Sequence, residues 1–140
     1  TVAAAMEGAF GGINSIALSQ LGGDHKSNSY LCSKNYSVEI IKNLLKLKIK
    51  SPLYFNINFP LNISESDNTN FLYTKLASQK KSDEIFVNNT ETSYKIGRML
   101  NSYQATQETD MEALSKNKIS LTPLTLDLTN ISLFNQLNKR

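Results

Sequence analysis

Few residues in this chain are of a type that does chemistry, and they are scattered. The one histidine, His25, follows Asp24, a base with a carboxylate next to it in the chain. Adjacent side chains rarely turn toward one another, so the pair reads as loop solvation. Asp83-Glu84 and Asp110/Glu112 are close acidic pairs, and with no other ligand type near them they read as surface charge. His25 and the one cysteine, Cys32, do not add up to a structural zinc site. Neither a nucleophile elbow nor a glycine-rich phosphate loop is present. Asn-x-Ser/Thr sequons at Asn35, Asn62, Asn88 and Asn130 are expected by chance in a chain so rich in asparagine. What remains is positional. Thr1 stands where the first turn of a helix begins, and a helix N-terminus with a hydroxyl beside its free N–H groups attracts phosphate.

Several elements have to position these residues. Thr1-Val2-Ala3-Ala4-Ala5-Met6-Glu7-Gly8 reads as the body of a helix packed closely on a sheet, stopped by Gly11-Gly12. The chain is expected to begin inside a folded unit, with a segment upstream that feeds this helix. Ile13 to Gln20 reads as a buried strand around Ile16-Ala17-Leu18, and residues 21–35 as a long loop. Ser37 is the expected cap of an amphipathic helix. Val38, Ile41, Leu44, Leu45 and Lys48 form one face of it, and Glu39, Lys42, Lys46 and Lys50 form a solvated one. Ser51-Pro52 end that helix. Leu53 to Pro60 alternates as a strand, with Leu53, Phe55, Ile57 and Phe59 on one side and Asn56 and Asn58 on the other. The two asparagines are within reach of a ligand but read first as bridging the strand end. The order of helices and strands implies an α/β unit with a parallel sheet.

Beyond residue 61 the character changes. Residues 62–70 are polar and mark a boundary, so residues 1–61 read as part of a Rossmann-like domain and residues 62–140 as a β-rich extension. Strand-like segments lie at 71–76, 84–87 and 94–97, and residues 98–108 are polar and aperiodic. Ile119 to Leu124 alternates and meets Pro123, as an edge or terminal strand should. Ile131, Leu133, Phe134 and Leu137 predict a short final helix capped by Thr129 or Asn130. Ile85, Phe86 and Val87, with Leu133, Phe134 and Leu137, are expected to need cover from a second subunit.

Composition bounds the rest. The chain has 140 residues, 40% of them hydrophobic, and a net charge of +3, which suits one domain with an ordinary core. Lysine supplies nearly all the positive charge, Arg98 and Arg140 being the arginines. Since arginine makes the bidentate phosphate and base contacts, nucleic acid is an unlikely partner. No apolar run approaches the ~18 to 20 residues of a membrane-spanning helix, so no membrane partner is expected. A single cysteine permits no internal disulfide and suits a reducing, cytoplasmic setting.

Three segments, in order, resemble one family. Thr1 to Gly8 resembles the helix after a Ser-Gly turn in the SurE (stationary-phase survival) nucleotidases. Phe55-Asn56-Ile57-Asn58-Phe59-Pro60 is similar to their NINxP strand end. Thr109-Asp110 with Ala113, then Ile119 to Leu124 and Asp127-Leu128-Thr129, is similar to their tail, and Tyr94-Lys95-Ile96-Gly97 to their YWxG piece. Residues 98–108 depart from the family in lacking glycine, and Asp24 and His25 have no counterpart. The resemblance implies a metal-dependent phosphatase (with Mg or Mn) acting on nucleoside 5′- and possibly 3′-monophosphates. It also implies a β extension used in exchange between subunits, hence a homodimer or homotetramer. The family's metal ligands, an Asp-Asp pair, a Ser and an Asn, belong to segments that precede Thr1 and cannot be carried onto this chain. Only Thr1 matches a position beside the phosphate. These residues alone are therefore expected to be inactive. The alternative reading is a non-enzymatic α/β module that acts through assembly.

Overall fold

The computed structural model describes residues 1–22, 30–49, 51–63, 71–78, 85–87, 93–96 and 107–139. Its first element is helix α1 (Val2–Phe10), which the run of small, helix-favouring residues dictates. The helix ends in a Schellman motif. Gly12 takes the left-handed conformation at φ 79, its N–H donates to the Ala9 carbonyl, and the Ile13 N–H donates back to Gly8. Of the glycine pair, then, it is Gly12 that makes the stop. Gly8 is required for a different reason. A β-carbon there would run into Ser15 Oγ, so glycine lets α1 lie this close to the strand that follows while Ser15 keeps its place.

Strand β1 (Ser15–Gln20), helix α2 (Leu31–Leu45) and strand β2 (Tyr54–Phe59) form the expected β-α-β unit, with β1 and β2 parallel and Ile16 opposite Phe55. Helix α2 differs from the sequence reading. It starts at Leu31, inside the expected loop, and its first residue follows Tyr30, so Ser37 is an interior residue and caps nothing. Its buried face is Cys32, Ile40 and Leu44, with Tyr36 packed against the core at the same four-residue spacing. Val38 and Leu45, assigned to the buried face, are 58% and 53% exposed. The helix also ends at Leu45, before Ser51-Pro52.

Short strands follow: β3 (Phe71–Tyr73), β4 (Ile85–Val87) and β5 (Tyr94–Ile96). Helix α3 (Asp110–Ser115), strand β6 (Ile119–Pro123) and helix α4 (Ile131–Leu137) complete the chain. The main sheet has the order β1-β2-β6-β3, and β4 and β5 pair antiparallel as a separate hairpin. Strand β6 runs antiparallel to β2 and parallel to β3. It is therefore interior, not the edge or terminal strand that Pro123 suggested. Pro123 is tolerated because β3 pairs only as far as Leu121, so the proline has a neighbour on one side alone. Two strands from residues 62–140, β3 and β6, thus join the sheet that residues 1–61 begin.

The register gives the sheet two unlike faces. Ile16, Phe55, Ile57, Phe59, Ile119 and Leu121 share one face and bury it under α2. Phe59, Ile57 and Ile119 are wholly inaccessible, each worth about 1.5 to 3 kcal/mol of burial. Ser15, Tyr54, Asn56, Ser120 and Thr122 share the other face, on which Gly8 brings α1 against Ser15. That polar face is still buried, so its groups must pair with one another. Thr74 Oγ1 lies 3.0 Å from Ser120 Oγ and 2.7 Å from Thr122 Oγ1, joining three buried hydroxyls.

Candidate functional site

In a sheet of this kind, ligands bind at the carboxyl ends of the parallel strands. Two helix N-termini are brought there, one on each face. Helix α1 is joined to β1 by residues 11–14 and packs along it, so it must run antiparallel to the strand. Its nine residues span roughly 14 Å and β1 roughly 20 Å. Thr1 therefore lies toward the carboxyl end of β1. Thr1 is exposed, occupies the N-cap position, and its side chain makes no capping hydrogen bond. No acidic residue stands in the first turn to offset the dipole. The N–H groups of this turn carry the partial positive charge of the helix dipole.

Register adds two residues to the same end and face. Ser19 lies opposite Asn58, and both alternate onto the α1 side, since Ser15 on the same alternation meets Gly8. Both are half-buried. Asn56, one step further in, is buried between Ala17 and Thr122 in the register. Asn58 is thus the asparagine placed to reach a ligand, and Asn56 belongs to the sheet. Ser19 escaped the sequence reading because nothing in a buried strand marks one serine as terminal. Its pairing with Asn58 depends on the β1–β2 register.

The start of α2 closes a cleft of about 270 Å³ lined by Leu18, Ser19, Gln20, Tyr30, Ser33, Lys34 and Ser37, so Ser19, at the end of β1, borders this cleft as well. The N–H of Ser33 donates to Gln20 Oε1 at 3.1 Å, so a side chain from the end of β1 supplies the cap that Tyr30 lacks. Cys32, just beside it, is buried under the sheet, and burial pushes its thiol pKa up. A thiol held protonated is a poor nucleophile, and Cys32 is a packing residue.

The acidic pair Asp110/Glu112 does more than the surface-charge reading allowed. Thr109 caps α3 by accepting from the Glu112 N–H, and Glu112 Oε2 accepts from the Glu108 N–H. Glu112 also pairs with Lys116 at 2.8 Å, and its pKa is lowered, first by that bond and then by the Glu108 N–H. Asp110 Oδ1 accepts from the N–H groups of Ala77 and Met111. Helix α3 was missed, although Thr109-x-x-Glu112 is a capping-box spacing and Asn117, at φ 55, closes a second Schellman motif. Asp24, His25, Asp83 and Glu84 lie outside the described residues. Among the described residues, no three His, Cys, Asp or Glu side chains come together as a cluster fit for a metal ion. Among them, too, no helix is long and apolar enough to cross a membrane.

A β-α-β unit with a parallel-strand pair and helix starts at the strand ends defines a Rossmann-like α/β protein. Comparison with known proteins makes the assignment narrower. Residues 1–83 match the family model described as Survival protein SurE, and the chain belongs to the SurE family. A protein from Methylobacillus flagellatus named 5′-nucleotidase SurE is 32% identical over 135 residues, covering 94% of this chain and 53% of its own length. One of the same name from Xanthomonas axonopodis pv. citri is 31% identical over 132 residues, covering 92% and 51%. The crystal structure of the SurE protein from Aquifex aeolicus superposes with a TM-score of 0.70 at 28% identity, over 98% of this chain and 55% of that one. The chain thus spans about half the length of the relatives it matches.

Proposed function

We propose that these residues are the later part of a SurE-type phosphatase that releases phosphate from nucleoside 5′-monophosphates, with 3′-monophosphates as its second substrate class. The names of the relatives support the reaction, and the start of α1 at Thr1, with no acidic residue in its first turn, supports the place. In this reading the Thr1 hydroxyl and the first N–H groups of α1 bind phosphate oxygens, and Ser19 and Asn58 line the same end of the sheet. These are binding and orienting roles. The described residues contain no cluster suited to the divalent cation, Mg or Mn, that belongs to the proposal. The ligands are assigned to a part of the protein outside these 140 residues. The proposed setting is cytoplasmic.

Assembly belongs to the same proposal. We assign residues 1–61 to the Rossmann-like domain, whose sheet β3 and β6 complete, and the rest of residues 62–140 to an extension that joins subunits in a homodimer or homotetramer. Phe86, Val87 and Tyr94 on the hairpin are 54%, 51% and 70% exposed, and α4 buries none of its residues. That exposure also favours the second reading, a non-enzymatic assembly module. Turnover separates the two. The intact protein should release phosphate from a nucleoside monophosphate with Mg or Mn and stop when the cation is chelated, whereas residues 1–140 alone should release none. Turnover that persists in chelator, or none in the intact protein with cation present, would defeat the phosphatase reading.

A further inference from the structure

Residues 74–77 and 107–112 meet at a narrow neck, crossed by backbone and side-chain hydrogen bonds. The Lys75 N–H donates to the Glu108 carbonyl at 2.7 Å, and the Asp110 N–H donates to the Lys75 carbonyl at 2.9 Å. Lys75 Nζ lies 2.7 Å from Glu108 Oε2. Asp110 Oδ1 accepts from the Ala77 N–H at 2.9 Å while also accepting from Met111. On the sheet side, the Thr74 N–H donates to the Leu121 carbonyl and its hydroxyl joins Ser120 and Thr122. Glu108 sits at φ 63, a left-handed conformation that a non-glycine residue keeps only when its surroundings impose it. The β4–β5 hairpin lies in the chain between the two sides of this neck and forms a sheet of its own.

We propose that the neck is a conformational lock that insulates the main sheet from the β4–β5 hairpin, with Asp110 as the residue that holds it closed. The carboxylate ties the outgoing backbone at Ala77 to the start of α3. The exposed Lys75–Glu108 ion pair contributes little, because water screens it. The buried hydroxyls keep β3 on β6 but do not reach across the neck. A load on the hairpin is then met by the neck before it reaches β3 and β6.

Native-state hydrogen exchange of the intact protein across a denaturant series tests this. In the wild type, the Lys75, Ala77 and Asp110 amides should open as a unit distinct from the hairpin amides over 85–87 and 94–96. In Asp110→Ala, the Ala77 amide should exchange at least about tenfold faster, the effect of losing a hydrogen bond to a charged acceptor. The Ile57 and Phe59 amides should keep their rates. Asp110→Asn, which retains an Oδ1 acceptor, should fall between the two. Neck and hairpin amides that open together in the wild type overturn the lock. So does an Ala77 acceleration in Asp110→Asn or Asp110→Ala that Ile57 and Phe59 match, or no acceleration at all.

Discussion

Thr1 and Gly8 stand on one helix and illustrate two ways in which a single residue matters. Thr1 is exposed and its side chain does not cap, so little in the fold depends on its hydroxyl. Thr1→Val in the intact protein should weaken phosphate or substrate binding by about 1 to 2 kcal/mol, the loss of a hydrogen bond to a charged group, with thermal stability nearly unchanged. Calorimetric titration with inorganic phosphate, beside a melting curve, measures both. Equal affinity in the variant would reduce Thr1 to a helix start. Gly8 is the opposite case, a residue of pure packing. Gly8→Ala gains helix propensity of up to about 1 kcal/mol, but its β-carbon runs into Ser15 Oγ. Ser15 is itself tied to the Ile13 carbonyl at 3.0 Å, and overpacking of this kind costs about 1 to 3 kcal/mol. The single variant should therefore lose stability, whereas in a Ser15→Ala background the same change should be neutral or stabilising. Denaturant unfolding of the four proteins checks the reversal. A loss that persists in the Ser15→Ala background would place the obstruction elsewhere.

Elements show where local sequence is enough and where it is not. Helix α1 and its Gly-Gly stop, the alternation of β2, and α4 with the Asn130 side-chain oxygen accepting from the Leu133 N–H as its cap were all legible. Each depends on short-range rules. The start of α2 was not, because its cap comes from Gln20 on another element rather than from a nearby serine. Helix α3 carries a pH signature. Glu112 is held as a carboxylate by Lys116 and the Glu108 N–H, with its pKa lowered from 4.5. A lowered pKa contributes stability that is present above the unfolded value and lost as pH falls through the folded one. The α3 amides should therefore exchange faster as pH drops below about 4.5, relative to their intrinsic rates, and Glu112→Gln should remove that dependence. Equal pH profiles for wild type and Glu112→Gln would show that the cap does not depend on the charge.

At the scale of the whole molecule, the main sheet is well covered on the α2 side, whereas the hairpin and α4 are not. Phe86 and Phe134 are 54% and 55% exposed. Apolar strands and helices left this open are normally covered by a partner. Replacing both phenylalanines by serine should shift the intact protein toward monomer in sedimentation velocity, with any fall in melting temperature limited to the stabilisation that assembly supplies, since neither side chain is in the core. A wild type that is monomeric at micromolar concentration would remove the assembly proposal.

By itself the sequence determined the class of the protein. Alternation at Leu53 to Phe59, the small residues of α1 and the ordered family motifs already pointed to a parallel α/β unit and to SurE, because periodicity and turn chemistry act over a few residues. The tertiary structure alone decided that β6 is interior rather than an edge, that Ser19 stands opposite Asn58 beside the α1 start, and that Asp110 spans from α3 to Ala77. Each of these rests on a pairing between residues distant in the chain. No local pattern records such a pairing, since a strand's neighbours and register are settled by burying whole faces at once.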